Sequence, residues 1–234
     1  MIDFHSHILP EIDDGSKSYE ESLKMLEEAQ NIGFDKVIST SHYAIGCFET
    51  PEYKRKELID DLNLEDNIPE IILGSEIFLT YNIIDLLKDF KASSINGTNY
   101  VLIELPLKHH FNNLKNVINT LKENDYRPII AHPERYLFIQ SNFKELYELE
   151  RLGCLFQCNY GSILGNYGIK AKFIIKKMLK NGLVSFMGSD SHREKSIYLQ
   201  IPKAISLISK YIDSDELQNI ITYNAEKVLN GENL

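Results

Sequence analysis

His5-Ser6-His7 and Asp190-Ser191-His192 repeat one pattern, two metal-binding groups spaced i, i+2. In an extended strand that spacing puts both side chains on one face. Between them lie His42, Glu76, Glu104 and the run His132-Pro133-Glu134-Arg135, and the turn Asp13-Asp14-Gly15 adds carboxylates. Imidazole nitrogen with carboxylate oxygen, and no thiolate, suits Zn²⁺, Mn²⁺ or Fe²⁺. His5, His7, Asp14, His42, Glu76, Glu104, His132, Asp190 and His192 make nine candidate ligands. One ion takes about four to six, so the set suits two or three. Paired ions bind phosphate oxygens and make water nucleophilic, which is the chemistry of phosphomonoester hydrolysis. Arg135 offers a planar fork to the non-bridging oxygens that lysine would not reproduce. His42 or Asp190 could relay a proton, and Glu134 either orients a neighbour or serves the fold.

Taken singly, each residue has a plainer explanation. A lone histidine at a strand end is commonly a surface residue. Glu76 and Glu104 could sit at helix N-termini, where the dipole favours a carboxylate, and Asp13-Asp14-Gly15-Ser16 is a turn signal. His109-His110 reads as exposed loop. The positions argue otherwise, because five of the seven histidines fall at the same end of short apolar runs.

Those runs are Ile2–Phe4, Lys36–Thr40, Glu70–Leu73, Tyr100–Ile103, Pro128–Ile130, Cys154–Gln157 and Leu183–Met187. Helical patterns separate them. Ser18-Tyr19-Glu20-Glu21 is a capping box, Leu23, Leu26, Ala29 and Ile32 follow at helical spacing, and Gly33 is a stop. Further helices are expected near 51–64, 81–89, 111–121, 141–152, 168–180, 202–211 and 214–229. This alternation implies an α/β fold with a parallel sheet and outer helices, in one domain spanning 1–234. Periodicity does not separate a closed barrel from an open doubly wound sheet. In a barrel, the strand C-termini share one rim, where active sites sit.

The net charge of −9 argues against nucleic acid as the main partner. The three cysteines form no CxxC pair, and Cys154 and Cys158 read as buried small residues. Six residues after Cys47, Cys154 and Cys158 stand Tyr53, Tyr160 and Leu164, so no Cys-x5-Arg phosphatase loop exists. The N-terminus has no basic, apolar leader and no run reaches membrane-spanning length, so a soluble cytoplasmic protein is expected without membrane insertion.

The motifs His5-Ser6-His7, His42, His132-Pro133-Glu134-Arg135 and Ser189-Asp190-Ser191-His192 resemble those of the polymerase and histidinol phosphatase (PHP) superfamily. The longer stretches MIDFHSHILPEIDDGS, GSEIF, LIELP, AHPERY and GSDSH resemble the bacterial metal-dependent tyrosine-protein phosphatases encoded with capsule and exopolysaccharide genes. The resemblance runs from Met1 to the C-terminal NAEKVL. It implies a distorted (β/α)7 TIM-like barrel holding three ions, usually manganese, on the nine candidate ligands, with Glu104 as a bridge and Arg135 on the phosphate. It also implies a substrate, phosphotyrosine on a bacterial tyrosine kinase that controls polysaccharide export. Three positions depart from the family pattern. Glu11 replaces a usual glycine and Ser41 a usual proline. Ile197 stands near the position of a usual second phosphate-binding arginine, for which Arg193 is the candidate substitute. A small-molecule phosphatase, such as one for histidinol phosphate, is the alternative on the same site. A metal-dependent nuclease fits the acidic charge poorly, and a non-catalytic scaffold would be expected to have lost ligands.

Overall fold

The computed structural model describes residues 1–234. The chain begins β1 (Ile2–Ser6), α1 (Tyr19–Asn31), β2 (Lys36–Ser39), β3 (His42–Tyr43), α2 (Glu52–Leu62), β4 (Glu70–Leu73), β5 (Glu76–Phe78), α3 (Ile83–Lys88) and β6 (Tyr100–Glu104). It continues α4 (Leu114–Glu123), β7 (Arg127–Ala131), α5 (Leu137–Ser141), α6 (Lys144–Arg151), β8 (Leu155–Asn159), α7 (Tyr160–Leu164), α8 (Gly168–Lys180) and β9 (Phe186–Gly188). The helices α9 (Ile201–Ile208), α10 (Ser214–Gln218) and α11 (Asn224–Leu229) complete it.

All strand pairings are parallel. A three-stranded sheet has the order β1-β2-β4, and a six-stranded sheet, curled as a half-barrel, runs β3-β5-β6-β7-β8-β9. The second and third apolar runs break at Thr40-Ser41 and Gly74-Ser75, so each passes from the small sheet into the large one. Arg55, fully buried, donates to the Ser75 hydroxyl and to the Lys91 carbonyl (2.8 Å), which pins the second break directly before Glu76. At the far ends, the Asp190 amide donates to the His5 carbonyl (2.8 Å) and the His7 amide to the Ser191 carbonyl (2.9 Å).

Strand alternation sorts the side chains. Ile2, Phe4, Ile38, Ile72, Tyr100, Leu102, Ile129, Ala131 and Phe186 form an apolar cluster on the inner face. Phe4 stacks on Phe186 at 3.9 Å between centroids. Continuing each strand in steps of two carries this face from Ile38 to His42, from Ile72 to Glu76 and from Leu102 to Glu104. Three strands need a correction, and beyond the end of β9 it is the left-handed backbone of Asp190 (φ 54°). The register of β1 slips by one residue between Asp3 and Ser6, a β-bulge that moves odd-numbered His5 and His7 onto the face begun by Ile2 and Phe4. After β7, His132 takes a left-handed backbone (φ 32°), which turns its ring the same way. The larger cluster, from Ile8 to Ile221, lies between the sheets and the helices.

The structure departs from the sequence expectations in four places. The helix expected near 141–152 is α6, and a further short helix, α5, precedes it, separated by the extended Asn142 (φ −142°, ψ 93°). The short α7 was not anticipated. The segment expected to be helical over 214–229 contains a π-helical stretch at Asn219–Tyr223. The last strand begins at Phe186 rather than Leu183. No helix is long and apolar enough to cross a membrane.

Glu11 adopts φ 60°, a region where a Cβ is strained and glycine is not. Glu11→Gly should therefore stabilise the fold by up to ~1 kcal/mol, read as a higher thermal midpoint with unchanged activity.

Candidate metal centre

The nine expected ligands converge at the C-terminal strand ends. Three overlapping groups form: His7, Asp14, His42 and His192; His5, His7 and Asp190; and His42, Glu76 and Glu104, with donor atoms inside each group within 4.8 Å of one another. His132 Nε2 joins them at 2.8 Å from Glu76 Oε1 and 3.8 Å from Glu104 Oε1. Glu76 is the hub, since its Oε2 lies 3.1 Å from His42 Nδ1, 3.3 Å from His5 Nε2 and 3.4 Å from His7 Nε2.

The hydrogen bonding around these groups suits cations. His5 Nδ1 donates to Gln157 Oε1 (2.8 Å) and His7 Nδ1 to Asp13 Oδ2 (2.9 Å). Each bond fixes the tautomer and leaves Nε2 as a bare lone pair. Those two Nε2 atoms face each other at 3.0 Å, which needs a positive charge beside them. Buried Glu76 Oε2 and His132 Nδ1 have no hydrogen-bond partner, a costly arrangement in a core unless something else binds there. In the ion-free chain, protons meet part of this need. Burial opposes charge on His7, but the Asp13 carboxylate outweighs it and holds the imidazole well above its usual range. Burial likewise opposes charge on Glu76, yet His5, His42 and His132 hold its carboxyl well below the usual range.

Glu104 behaves oppositely. Burial, then the neighbouring Glu76 charge, raises its carboxyl to about 8, against 4.5 for a free one. Between those values the folded, ion-free chain carries a proton that the unfolded chain lacks, so stability falls as pH rises through the window. A cation must displace that proton, so metal affinity should rise with pH up to about 8. Calorimetric Mn²⁺ titrations across the window check this. Glu104→Gln should bind more weakly overall but flatten the pH dependence.

Several residues outside the nine orient the candidate ligands. Gln157, besides holding His5, donates through Nε2 to Asn159 Oδ1 (2.9 Å), and Asn159 Nδ2 donates to Asp190 Oδ2 (2.6 Å). The polar end Gln157-Cys158-Asn159 was the available signal. Asp13, adjacent to the chosen Asp14, also accepts from the His42 amide (2.8 Å). Buried Asp3 accepts from the Ser189 amide (2.7 Å) and the Tyr198 hydroxyl (2.8 Å), which sets the strand leading to Asp190. Gly188 is required to be bare, because a Cβ there would meet His5 Cβ at 2.6 Å. Glu134 accepts from the Asn159 amide (3.0 Å) and the Ser162 hydroxyl (2.6 Å), so it serves the start of α7.

Arg135 Nη1 donates to Asp190 Oδ2 (2.7 Å), and its guanidinium lies over the Tyr167 ring, 4.4 Å from the centroid. Asp190 therefore turns Oδ1 toward the imidazoles and Oδ2 toward Arg135, Asn159 and Tyr167. Burial opposes its charge, but His5, His132 and Arg135 bring the carboxyl down to about 2. Arg193, the candidate second phosphate contact, lines a cleft with Tyr167, Asp190 and His192. Its Nη1 donates to the carbonyls of Asp14 (2.8 Å) and Gly15, tying the Asp13–Gly15 turn to the end of β9. Ile197 lies in the same cleft, of about 220 Å³, and brings no charge there. His109 and His110 are exposed on a loop away from these groups. Cys154 and Cys158 are buried, and burial pushes the Cys154 thiol up to about 12, far from a thiolate.

The family model described as capsular polysaccharide synthesis, CpsB/CapC, matches residues 1–230. The tyrosine-protein phosphatase YwqE of Bacillus subtilis (strain 168) is 32% identical over 238 residues, covering 100% of this chain and 93% of its own. A solved structure from work on YwqE and on CpsB of Streptococcus pneumoniae, described as unique metal-dependent tyrosine phosphatases, superposes with a TM-score of 0.94 at 31% identity. It covers 100% of this chain and 96% of that one. A histidinol phosphate phosphatase from Lactococcus lactis subsp. lactis, at TM-score 0.59 and 20% identity over 90% of this chain and 93% of its own, shares the fold.

Proposed function

We propose that this chain, which belongs to the CpsB/CapC family of capsular polysaccharide synthesis proteins, is a metal-dependent phosphatase that removes phosphate from phosphotyrosine in a protein. The observation that carries the reading is the convergence of five imidazoles and four carboxylates around Glu76, whose buried Oε2 has no hydrogen-bond partner. A tyrosine kinase of the same polysaccharide system is the proposed substrate protein, in the cytoplasm, where three unpaired cysteines persist. The frame we infer is a single domain over 1–234, a distorted (β/α)7 barrel. The backbone bonds between the His5–His7 and Asp190–Ser191 segments support closure, and the inner cluster, drawn from Ile2 to Val228, supports one domain.

Two or three divalent ions fit the donor set, with manganese the first choice and iron or zinc also suited. His5, His7, Asp14, His42, Glu76, Glu104, His132, Asp190 and His192 would hold them. Bound there, such ions polarise phosphate oxygens and lower the pKa of water. The protein's own groups do the rest. Arg135 exchanges Asp190 for the phosphate and gives its fork to the non-bridging oxygens, where charge grows in the transition state. Asp190, kept in place by Asn159 and Tyr167, is one group placed to take the proton of the attacking water. His42 is the other. A phenolate is a fairly good leaving group, so its protonation needs no strong acid.

The test compares kcat/KM on a phosphotyrosine peptide with that on L-histidinol phosphate, using chelator-stripped protein resupplied with Mn²⁺. The reading predicts hydrolysis of the peptide and little of the small molecule. The reverse order would transfer the site to a small-molecule phosphatase.

A further inference from the structure

Beyond holding Asp190, Tyr167 makes a ring contact on Arg135 that the reaction as described does not use. It stands directly before α8, half-exposed, with one ring face under the Arg135 guanidinium at 4.4 Å. The ring is seated from another direction by Gly161 of α7, where a Cβ would come within 2.9 Å of Tyr167 Cε2. Its hydroxyl donates to Asp190 Oδ2 at 3.2 Å. A bare glycine on one side and a cation on the other make a fitted slot for an aromatic ring.

Arginine has large rotamer freedom, and a bidentate grip on phosphate requires its plane to be set. A contact on the guanidinium face sets that plane while leaving the N–H edge free for the ligand. The Asp190 contact does not have this property, because it occupies the edge. We propose that Tyr167, seated by Gly161, is the positioning residue that fixes the Arg135 plane for phosphate binding. This rests on the reading of Arg135 as the phosphate-binding group.

The test uses full-length, Mn²⁺-loaded wild type, Y167F, Y167L and G161A. Affinity for inorganic phosphate is measured by calorimetry, alongside Mn²⁺ content and kcat and KM on a phosphotyrosine peptide. Y167L should weaken phosphate binding about tenfold, the size of a partly desolvated cation–π contact. Y167F, which keeps the ring, should restore it to within about twofold. G161A, which pushes the ring from its seat, should fall toward Y167L, and Mn²⁺ content should be the same in all four. Unchanged phosphate affinity in Y167L would overturn the proposal. So would a Y167F defect as large as that of Y167L, which would assign the effect to the hydroxyl, or a loss of ions, which would assign it to Asp190. If the wild type binds phosphate in this order but leaves the peptide intact, the phosphotyrosine reading fails and the positioning role stands.

Discussion

Glu76→Gln is expected to fold, to hold fewer ions and to release phosphate ~10³-fold more slowly or worse. Groups that only orient a metal ligand are worth about 10–100-fold, and Glu76 sits at the centre, with Oε2 within 3.4 Å of three imidazole nitrogens. Glutamine keeps the shape but removes the charge. Its amide would also put N–H groups toward nitrogens that already present either lone pairs or protons. Excess Mn²⁺ should therefore restore little. The same substitution has a signature without any ion. The Glu76 carboxylate is the first charge that offsets the effect of burial on His5 and raises its pKa. In the ion-free variant His5 should titrate lower than in the wild type, which NMR of the imidazole protons would read. Normal ion content with normal turnover in Glu76→Gln would remove the hub from the account.

Arg135 gives the second large effect, of a different kind. Arg135→Ala should cut kcat/KM by ~10²–10³, as expected for a charged donor aimed at developing oxyanion charge. Arg135→Lys should recover little, since an ammonium lacks the planar fork. Ion content should be unchanged in both, because Asp190 keeps Asn159 and Tyr167 as donors. Metal analysis beside steady-state kinetics therefore separates loss of the ions, expected for Glu76→Gln, from loss of the phosphate grip.

The convergence of the candidate ligands was legible in the sequence because it is written one strand at a time. Each of Ile38, Ile72 and Leu102 lies an even number of residues before a polar group, His42, Glu76 or Glu104, so the pleat carries apolar core into the candidate metal site. His5 reaches the same place by a bulge, and His132 and Asp190 by left-handed backbone, neither of which hydrophobic pattern reveals. The orienting groups were harder to find. Gln157 meets His5 across 152 residues and Asn159 meets Asp190 across 31, and no local spacing encodes such pairs. The five residues of α7 are too few to display a helical period, and part of what holds its start is a contact with Glu134 rather than propensity. Arg193 has a further tie of this kind, since its Nη1 donates to the Asp14 and Gly15 carbonyls far away in sequence.

The most direct measurement titrates chelator-stripped protein with Mn²⁺ and follows phosphate release from a phosphotyrosine peptide against ions bound per chain. The account predicts no release without ions, onset only beyond one ion per chain, and saturation at two or three. Full turnover at one ion, or none with the site saturated, would contradict a polynuclear phosphotyrosine phosphatase built on these strand ends.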